Sequence, residues 1–430
     1  MTYTARTIPV LILISLLFTS PVFAASAASP QLEKLLREAD ANNPSLQVAK
    51  EQIQVADSKI DQATALADPQ LGLSFSNYPI DQLRSDVTPM TGNEIRLSQM
   101  LPFPGKLDAK GRIAAEKSHW FEHAYDDARL QLRRQVKDAW YRFLFQRQAI
   151  DLTEHNLQLL DDFIKLTETR YEVGKGLQQN VLKAQLQRSK QMDILFNLQQ
   201  QKTATLAELN SLAGRATDQP LEADIDLSPS TASFDLAALQ QTAEGNRPLF
   251  ASYRALIDQY KAGRELAKLD YKPDFTPWVS YRWRDNDLSD GGTDFISAGI
   301  SFNLPVPNKR RRAAVAEADS SLRMAYQQRN QFKNKVDLTI HRALSRFEQD
   351  SRLAELYQGG IIPQAKQTFQ ATLSAYQVDK VDFLDLLDSV MSLYRYEIDY
   401  ARTLSDQQRS QAEIEAAAGL EAPQLIPGEG

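Results

Sequence analysis

Two pairs of short segments in the chain alternate apolar and polar residues, which is the pattern of β-strands with one apolar face. In the first segment, Leu71, Leu73 and Phe75 are apolar, and the positions between them are small or polar. A polar loop separates the two members of each pair. The predicted strands cover about 70–78, 94–102, 274–284 and 294–305.

A long helical hairpin is predicted after each pair of strands, at about 106–213 and 309–418. From Lys106 to Val173 the chain has no proline and one glycine, so a helix there would be roughly 100 Å long. We expect the corresponding helix of the second hairpin to be broken near Gly359-Gly360, because glycine and proline disfavour helix interiors. The last helix has apolar residues at steps of three or four, which favours a coiled coil. They are Phe383, Leu387, Val390, Tyr394, Ile398, Ala401 and Leu404.

The two halves of the chain repeat one pattern of residues at a nearly constant spacing of 203 to 205 positions. Such a constant spacing indicates a duplicated unit, so both halves should share one architecture. Matched pairs are Leu32/Leu236, Ala39/Ala243, Pro44/Pro248, Lys106/Lys309, Tyr171/Tyr376 and Gly214/Gly419. The predicted divisions are a first repeat (25–214), a polar linker (215–233), a second repeat (234–419) and a C-terminal tail (420–430).

An export signal is predicted at residues 1–24. Arg6 makes the start weakly basic, an apolar stretch runs from Ile8 to Phe18, and small residues precede a cleavage site after Ala24. The mature protein is therefore expected outside the cytoplasm. Past this signal, no apolar run is long enough for a membrane-spanning helix, which argues against a helical membrane protein.

Composition narrows the function further. The 430 residues carry a net charge of −6, so no basic excess points to a nucleic-acid partner. The chain has no cysteine and four histidines, which excludes disulfides, thiolate metal sites and cysteine nucleophiles. No Ser/His/Asp set, phosphate-binding loop or paired acid–base constellation stands out. We predict neither an enzyme nor a cofactor.

The four strands cannot close a barrel on their own, since closure needs about eight or more. An open sheet in a membrane would expose unpaired edges, so the strands are expected to be shared between chains, as in a cyclic trimer. The alternative is a small soluble sheet beside a helical bundle, in a secreted or periplasmic scaffold or adhesin without a pore. Candidates for aromatic girdles at the membrane interfaces are Phe75, Tyr78, Tyr281, Trp283 and Phe302.

Motifs at the ends of these elements resemble those of the TolC-like outer-membrane efflux proteins. The first strand pair ends in Leu-Pro-Phe-Pro-Gly-Lys (101–106), and a Tyr-X-X-Gly turn begins at Tyr171. Val181 to Gln185 follows that turn, and Leu384 to Asp388 follows Tyr376 in the second repeat. The resemblance covers nearly the whole mature chain. The Pro-Phe-Pro-Gly-Lys form is most similar to the branch associated with heavy-metal cation export.

The resemblance implies a mainly α-helical protein with a membrane β-barrel part. A homotrimer would form a 12-stranded barrel among outer-membrane lipids, continued by a long α-helical barrel in the periplasm. It would be a passive duct that docks onto a periplasmic adaptor (a membrane fusion protein) and an inner-membrane pump of the RND type. Many members of the metal-export branch carry a lipidated cysteine, and the lack of cysteine here excludes such an anchor.

In the TolC-like proteins that this chain resembles, the turns at the far ends of the two hairpins contact the adaptor. Gly174 and Gly176 permit positive φ angles, which a tight turn between helices can require. Ordinary turn chemistry is the alternative explanation of these residues. The expected adaptor-contacting residues are Val173, Gly174, Lys175, Val378, Asp379 and Lys380.

Asp382, Asp385 and Asp388 recur at steps of three where the last helix begins. The resemblance places Asp385 and Asp388 at a constricted periplasmic entrance, where threefold symmetry would gather them into negative rings that favour cations. Helix N-terminal chemistry is the alternative, since the helix dipole stabilises carboxylates in a first turn. That alternative explains Asp382 better than Asp388, which lies two turns in.

His119, Glu122 and His123 form an H-x-x-E-H sequence, the pattern of inverzincin metallopeptidases. Two histidines four residues apart on a helix can share a metal ion, with the Glu nearby as a base. Catalysis would also need a third ligand and a cleft that excludes water. Two partly exposed histidines on a helical wall are the simpler explanation, a transient cation site is a second, and no metal site is predicted.

Overall fold

The computed structural model describes residues 29–221, 223–224, 227–306 and 308–420. The predicted export signal and residues 421–430 lie outside the described residues. Both halves have the same order of elements: two short helices, two strands and a long helical hairpin. The prediction of a mainly helical fold with a small antiparallel sheet is confirmed. No helix in the described ranges is both long and apolar enough to cross a membrane.

The first half contains α1 (Pro30–Asn42), α2 (Pro44–Thr64), β1 (Gln70–Ser76), β2 (Gly92–Ser98), α3 (Lys106–Glu172) and α4 (Gln178–Leu212). The second half contains α5 (Leu236–Asn246), α6 (Pro248–Leu269), β3 (Phe275–Trp283), β4 (Phe295–Phe302), α7 (Asn308–Leu356), α8 (Ile362–Gln377) and α9 (Phe383–Ala418). Proline begins α2 and α6, where its fixed φ suits the first helical turn and its missing N–H costs nothing.

The long helix of the second half is not broken at Gly359-Gly360, contrary to the prediction. α7 continues into α8 through a π-helical turn, Tyr357–Ile361. Such a turn inserts extra residues into a helix without ending it. The spacing between the repeats rises from 203 at Lys309 to 205 at Tyr376, and the π-helical turn lies between these two positions.

Each half has its own hydrophobic core, where the short helices cross the long ones. Residues at equivalent repeat positions occupy the two cores, so the duplication is visible in the packing as well as in the sequence. Equivalent buried pairs are Leu35/Leu239, Ala39/Ala243, Leu46/Phe250, Val136/Ile340, Phe143/Phe347 and Leu209/Ile414.

The strands form one antiparallel sheet in the order β1-β2-β3-β4. One cross-strand row consists of Leu73, Ile95, Tyr281 and Ile296. The adjacent row, on the opposite face, consists of Ser74, Glu94, Arg282 and Phe295. Because side chains alternate between the faces of a sheet, one face is apolar and the other is largely polar. Most of the apolar face is exposed in the single chain.

Lys106, the last residue of the Leu-Pro-Phe-Pro-Gly-Lys motif, joins the helices to the sheet. Its side chain is buried, and Nζ lies 2.9 Å from Oδ1 of Asp274 and 3.4 Å from Oδ1 of Asp270. The backbone N–H of Phe103 donates to the same Asp274 oxygen at 2.8 Å. Gly105 supplies the left-handed backbone, with a φ of 91°, that turns the chain into α3. The motif therefore fixes where β3 begins relative to the first long helix.

Candidate functional site

The candidate site is the pair of hairpin tips, which lie at the opposite end of the helices from the sheet. α3 alone has 67 residues, about 100 Å of helix. At its end, the Lys175 N–H donates to the Arg170 carbonyl at 2.8 Å and the Gly174 N–H donates to the Tyr171 carbonyl at 3.0 Å. Gly174 has a φ of 72°. These bonds form a Schellman motif, which closes a helix through a left-handed residue.

The second tip repeats this motif. The Lys380 N–H donates to the Ala375 carbonyl at 2.9 Å, and the Asp379 N–H donates to the Tyr376 carbonyl at 3.2 Å. Asp379 takes the left-handed position with a φ of 58°, a conformation that Asp tolerates better than most residues. The three predicted contact residues of each tip therefore occupy the same three positions of one turn.

Of the two glycines in this turn, Gly174 has a positive φ angle and Gly176 does not. Position 176 favours glycine because there is little room for a side chain. A Cβ atom at Gly176 would lie 3.1 Å from the Cβ of Arg170 and 3.1 Å from the backbone nitrogen of Tyr171. The turn packs this tightly against the last turn of α3, so a side chain at Gly176 would force that turn to shift.

Arg170 joins the two tips. Its Nη1 lies 2.5 Å from Oδ1 of Asp379, and its Nη2 donates to the Tyr376 carbonyl at 2.9 Å. The guanidinium also stacks 4.2 Å above the ring of Tyr376. Tyr376 is buried against Phe383 and its neighbours, and this burial raises the pKa of its phenol. One arginine of the first half thus holds the C-terminal end of α8 in the second half.

The tips present apolar and basic side chains outward. Val173, Leu177 and Val378 are all more than half exposed, and Lys175 and Lys380 are exposed beside them. The exposed apolar side chains of both tips thus lie at the same end of the helical hairpins.

The three aspartates lie where α9 begins. Asp382 is its N-cap, and the Asp385 carboxylate accepts a hydrogen bond from the Asp382 N–H at 3.3 Å in a capping box. Capping chemistry therefore explains Asp385 as well as Asp382, but it does not explain Asp388. Asp385 and Asp388 are exposed, and within the described chain neither has an ion-pair partner. Both line a groove between α8 and α9 together with Gln364, Thr368, Thr372, Ser389, Ser392 and Tyr396.

A family model described as outer membrane efflux protein matches residues 35–215 and 239–420, which is most of the chain. The protein belongs to the outer membrane efflux protein family. The family places it in the outer membrane, extending into the periplasm, as an efflux channel and not an enzyme. The scaffold or adhesin without a pore is thereby set aside.

Relatives and solved structures agree with this family. The chain is 22% identical over 407 residues to the cobalt-zinc-cadmium resistance protein CzcC of Cupriavidus metallidurans, covering 93% of this chain and 92% of CzcC. It is 23% identical over 407 residues to the outer membrane efflux protein BepC of Brucella suis, covering 90% and 85%. The outer membrane protein VceC of Vibrio cholerae has the same fold, with a TM-score of 0.76, 19% identity, and coverage of 90% and 96%.

The H-x-x-E-H residues of this efflux channel lie on the wall of α3. The His119 side chain is half exposed, and its Nδ1 lies 3.5 Å from Oε2 of Glu116. Glu122 is exposed and His123 is partly buried. Across the described ranges, no group of three His, Asp or Glu residues is placed to hold a metal ion. The family assigns this protein a channel function and not peptidase chemistry.

Arg170 is the site residue that the sequence analysis missed. A local signal was present, because a cation in the last turn of a helix interacts favourably with the helix dipole. Its partner Asp379 lies 209 positions away. No spacing or periodicity in either half indicates that these two side chains meet.

Proposed function

We propose that the protein is a homotrimeric exit duct, in which three chains close a 12-stranded barrel in the outer membrane and a helical barrel in the periplasm. The sheet is the observation that carries this proposal. Its apolar face is exposed, and β1 and β4 have no strand beside their outer edges in the described chain. A membrane tolerates no open sheet edge, whereas twelve strands are enough for a barrel. The exposed apolar side chains include Leu71, Leu73, Phe75, Ile296, Ile300 and Phe302.

Two neighbouring residues test this orientation. Leu73 is on the apolar face and Ser74 is on the polar face of β1, so Leu73→Lys should prevent recovery in the outer-membrane fraction while Ser74→Lys should not. A lysine at the lipid midplane costs about 2–4 kcal/mol. The wild type should have the mass of three chains in detergent and give conductance steps in planar bilayers. Equal tolerance of both lysines would contradict the duct.

The partners of the duct are a periplasmic adaptor of the membrane fusion protein type and, through it, an inner-membrane pump of the RND type. Support comes from the paired tips, whose exposed valines and lysines repeat one turn geometry in both hairpins. Charge reversal at Lys175 and Lys380 should lower site-specific crosslinking to the adaptor without loss of the trimer. Charge reversal at Lys183, one turn into α4, is a suitable control, and equal loss in both variants would contradict this assignment.

Asp385 and Asp388 form the narrowest part of the duct in this proposal. Their carboxylates lack ion-pair partners in the described chain and face a groove lined by hydroxyl groups. Three copies around one axis would produce rings of negative charge, which favour cations over anions. Their mutual repulsion would also help to set how easily the entrance opens.

Heavy-metal cations are the proposed cargo. The observation in favour is the match to CzcC, whose name refers to cobalt, zinc and cadmium resistance, together with acidic groups at the proposed entrance. The test is to delete the gene and measure growth on cobalt, zinc and cadmium beside growth on dyes and detergents. Sensitivity to the organic compounds alone would reject the metal cargo and leave the duct itself intact.

A further inference from the structure

Two histidines and two carboxylates form a stripe along the first part of α3. Glu116, His119, His123 and Asp126 follow each other at steps of three, four and three residues. Residues three or four apart lie on the same face of an α-helix. Each histidine therefore has a carboxylate beside it, and the two histidines are neighbours on one face.

The duplicated fold does not require these four residues. At a spacing of 204 positions, α7 has uncharged or basic residues in their place: Ser320, Arg323, Gln327 and Asn330. The two helices are equivalent elements of the repeat, and both are regular at these positions. The stripe is thus a feature of the first half alone, and the shared architecture does not explain it.

The contact made by His119 leaves one of its ring nitrogens available. Nδ1 lies 3.5 Å from Oε2 of Glu116. A carboxylate only accepts hydrogen bonds, so this contact favours the proton on Nδ1 and leaves the lone pair on Nε2. A carboxylate behind a histidine is the common arrangement at metal sites, where it orients the ring and makes the ligand nitrogen more basic. The side chain is 52% exposed, so an ion can reach the ring from solvent.

His123 has a carboxylate on its other side along the helix. Asp126 lies three residues after it, and the two side chains interact electrostatically. In the part of the chain that the structure describes, no polar contact joins either histidine to another helix. Two imidazoles four residues apart on a helix can bind one metal ion. Holding the fold together through polar contacts is therefore not the role of this pair.

We propose that His119 and His123 chelate a divalent transition-metal ion on the surface of α3, with Glu116 and Asp126 as the carboxylates that orient them. Since no group of three His, Asp or Glu residues in the described ranges is placed to hold a metal ion, the two imidazoles are the protein ligands and water fills the other positions. Such an open site binds its ion reversibly. Imidazole suits Cu²⁺ and Zn²⁺, and Cu²⁺ should bind more tightly.

This site goes beyond the proposed duct and does not depend on it. Both ligands lie on one helix of one chain, about 20 Å along α3 from its start, whereas Asp385 and Asp388 lie near the hairpin tips. The charge of Lys261 on α6 also acts on Glu116. Lys261 pairs with Asp258 at 2.7 Å, and this pairing leaves the Glu116 carboxylate to its histidine.

Titration with Cu²⁺ tests the proposal on the purified full chain in detergent, made without a histidine tag. Electron paramagnetic resonance detects the nitrogen ligands, and we expect one Cu²⁺ per chain bound by two imidazole nitrogens. His119→Ala and His123→Ala should each remove one nitrogen and weaken binding by more than the roughly tenfold that loss of an orienting partner costs. The matched control is His155→Ala/His341→Ala, which removes the other two histidines of the chain and should change neither quantity.

Glu116→Gln separates orientation from ligation, because it should weaken binding roughly tenfold while both nitrogens remain. Unchanged binding in His119→Ala and His123→Ala, or loss of the nitrogen signal in the control, would overturn the site. Asp385→Ala/Asp388→Ala should keep the signal. A single-chain mass with the two-nitrogen signal would contradict the duct and leave this site standing, whereas a three-chain particle without the signal would contradict the site alone.

Discussion

Replacing Arg170 by alanine should make the channel open more readily. The guanidinium makes three kinds of contact with the second hairpin, and all would be lost if the two tips separated. The ion pair with Asp379 is worth at most about 1 kcal/mol because the carboxylate is mostly exposed. The hydrogen bond to the Tyr376 carbonyl contributes about 1 kcal/mol, and stacking on the Tyr376 ring contributes about 0.5–1 kcal/mol.

These contributions sum to about 1.5–3 kcal/mol for each chain. Since 1.4 kcal/mol is a factor of ten in an equilibrium constant, Arg170→Ala should shift the equilibrium between closed and open tips by roughly 10- to 100-fold. The assay is the open probability of single channels in planar bilayers. Arg170→Lys should recover only part of the closure, because an ammonium group cannot reproduce the planar fork and the stacking of a guanidinium.

Asp379→Asn is the matched control for this prediction. It removes the exposed ion pair but keeps the carbonyl and ring contacts of Arg170, so its effect should stay below roughly fivefold. The reasoning fails if Arg170→Ala trimers, intact on gels, are as closed as the wild type. It also fails if Asp379→Asn opens the channel as much as Arg170→Ala does, because the exposed ion pair would then carry the whole effect.

Three further predictions concern other charged groups. Lys106→Met should lower the free energy of unfolding by about 2–3 kcal/mol, since it leaves a partly buried carboxylate without its partner, and Lys110→Met, one turn later on the surface, should change the melting temperature little. Burial and a neighbouring carboxylate raise the pKa of Asp350 to about 6, so its ionisation opposes folding as the pH rises through that value. Asp350→Asn should therefore be more stable than the wild type by about 1–2 kcal/mol at pH 7.5, after allowance for partial solvation. Thermal unfolding should show no such gain at pH 4, and a gain at both values would contradict the assignment. Asp385→Ala/Asp388→Ala should reduce cation selectivity and block by trivalent cations in bilayers, and unchanged values for both would reject the acidic entrance.

Patterns local in the chain predicted the elements of this fold well. Alternation around Leu71 to Phe75 indicates a strand wherever it occurs, because the period of a strand is a property of the backbone. The duplication then required the second half to repeat the first. The sequence pattern was less accurate in deciding which of two neighbouring residues on a helix is buried. In α9, Leu386 is fully buried, whereas the predicted seam residue Leu387 is only partly buried.

The contacts that tie the halves together could not be predicted from spacing. Arg170 meets Asp379, and Lys106 meets Asp274, across 209 and 168 positions. Each pair depends on how the two repeats pack side by side. The spacing of residues within one repeat gives no information about that packing. The π-helical turn was missed for a related reason. Gly359-Gly360 indicates a weak point in a helix, but the packing around it decides between a break and a wider turn.

The second hairpin differs from the first at the end that carries the tips. The π-helical turn lies between α7 and α8, whereas α3 runs without interruption through the equivalent region. The positions in α4 that correspond to Asp385 and Asp388 are Asn180 and Lys183, so only the second half carries this acidic pair. The position that corresponds to Arg170 is Ala375, so the bond between the tips forms once per chain. The first hairpin is therefore the more regular of the two. We expect the second hairpin to move when the entrance opens.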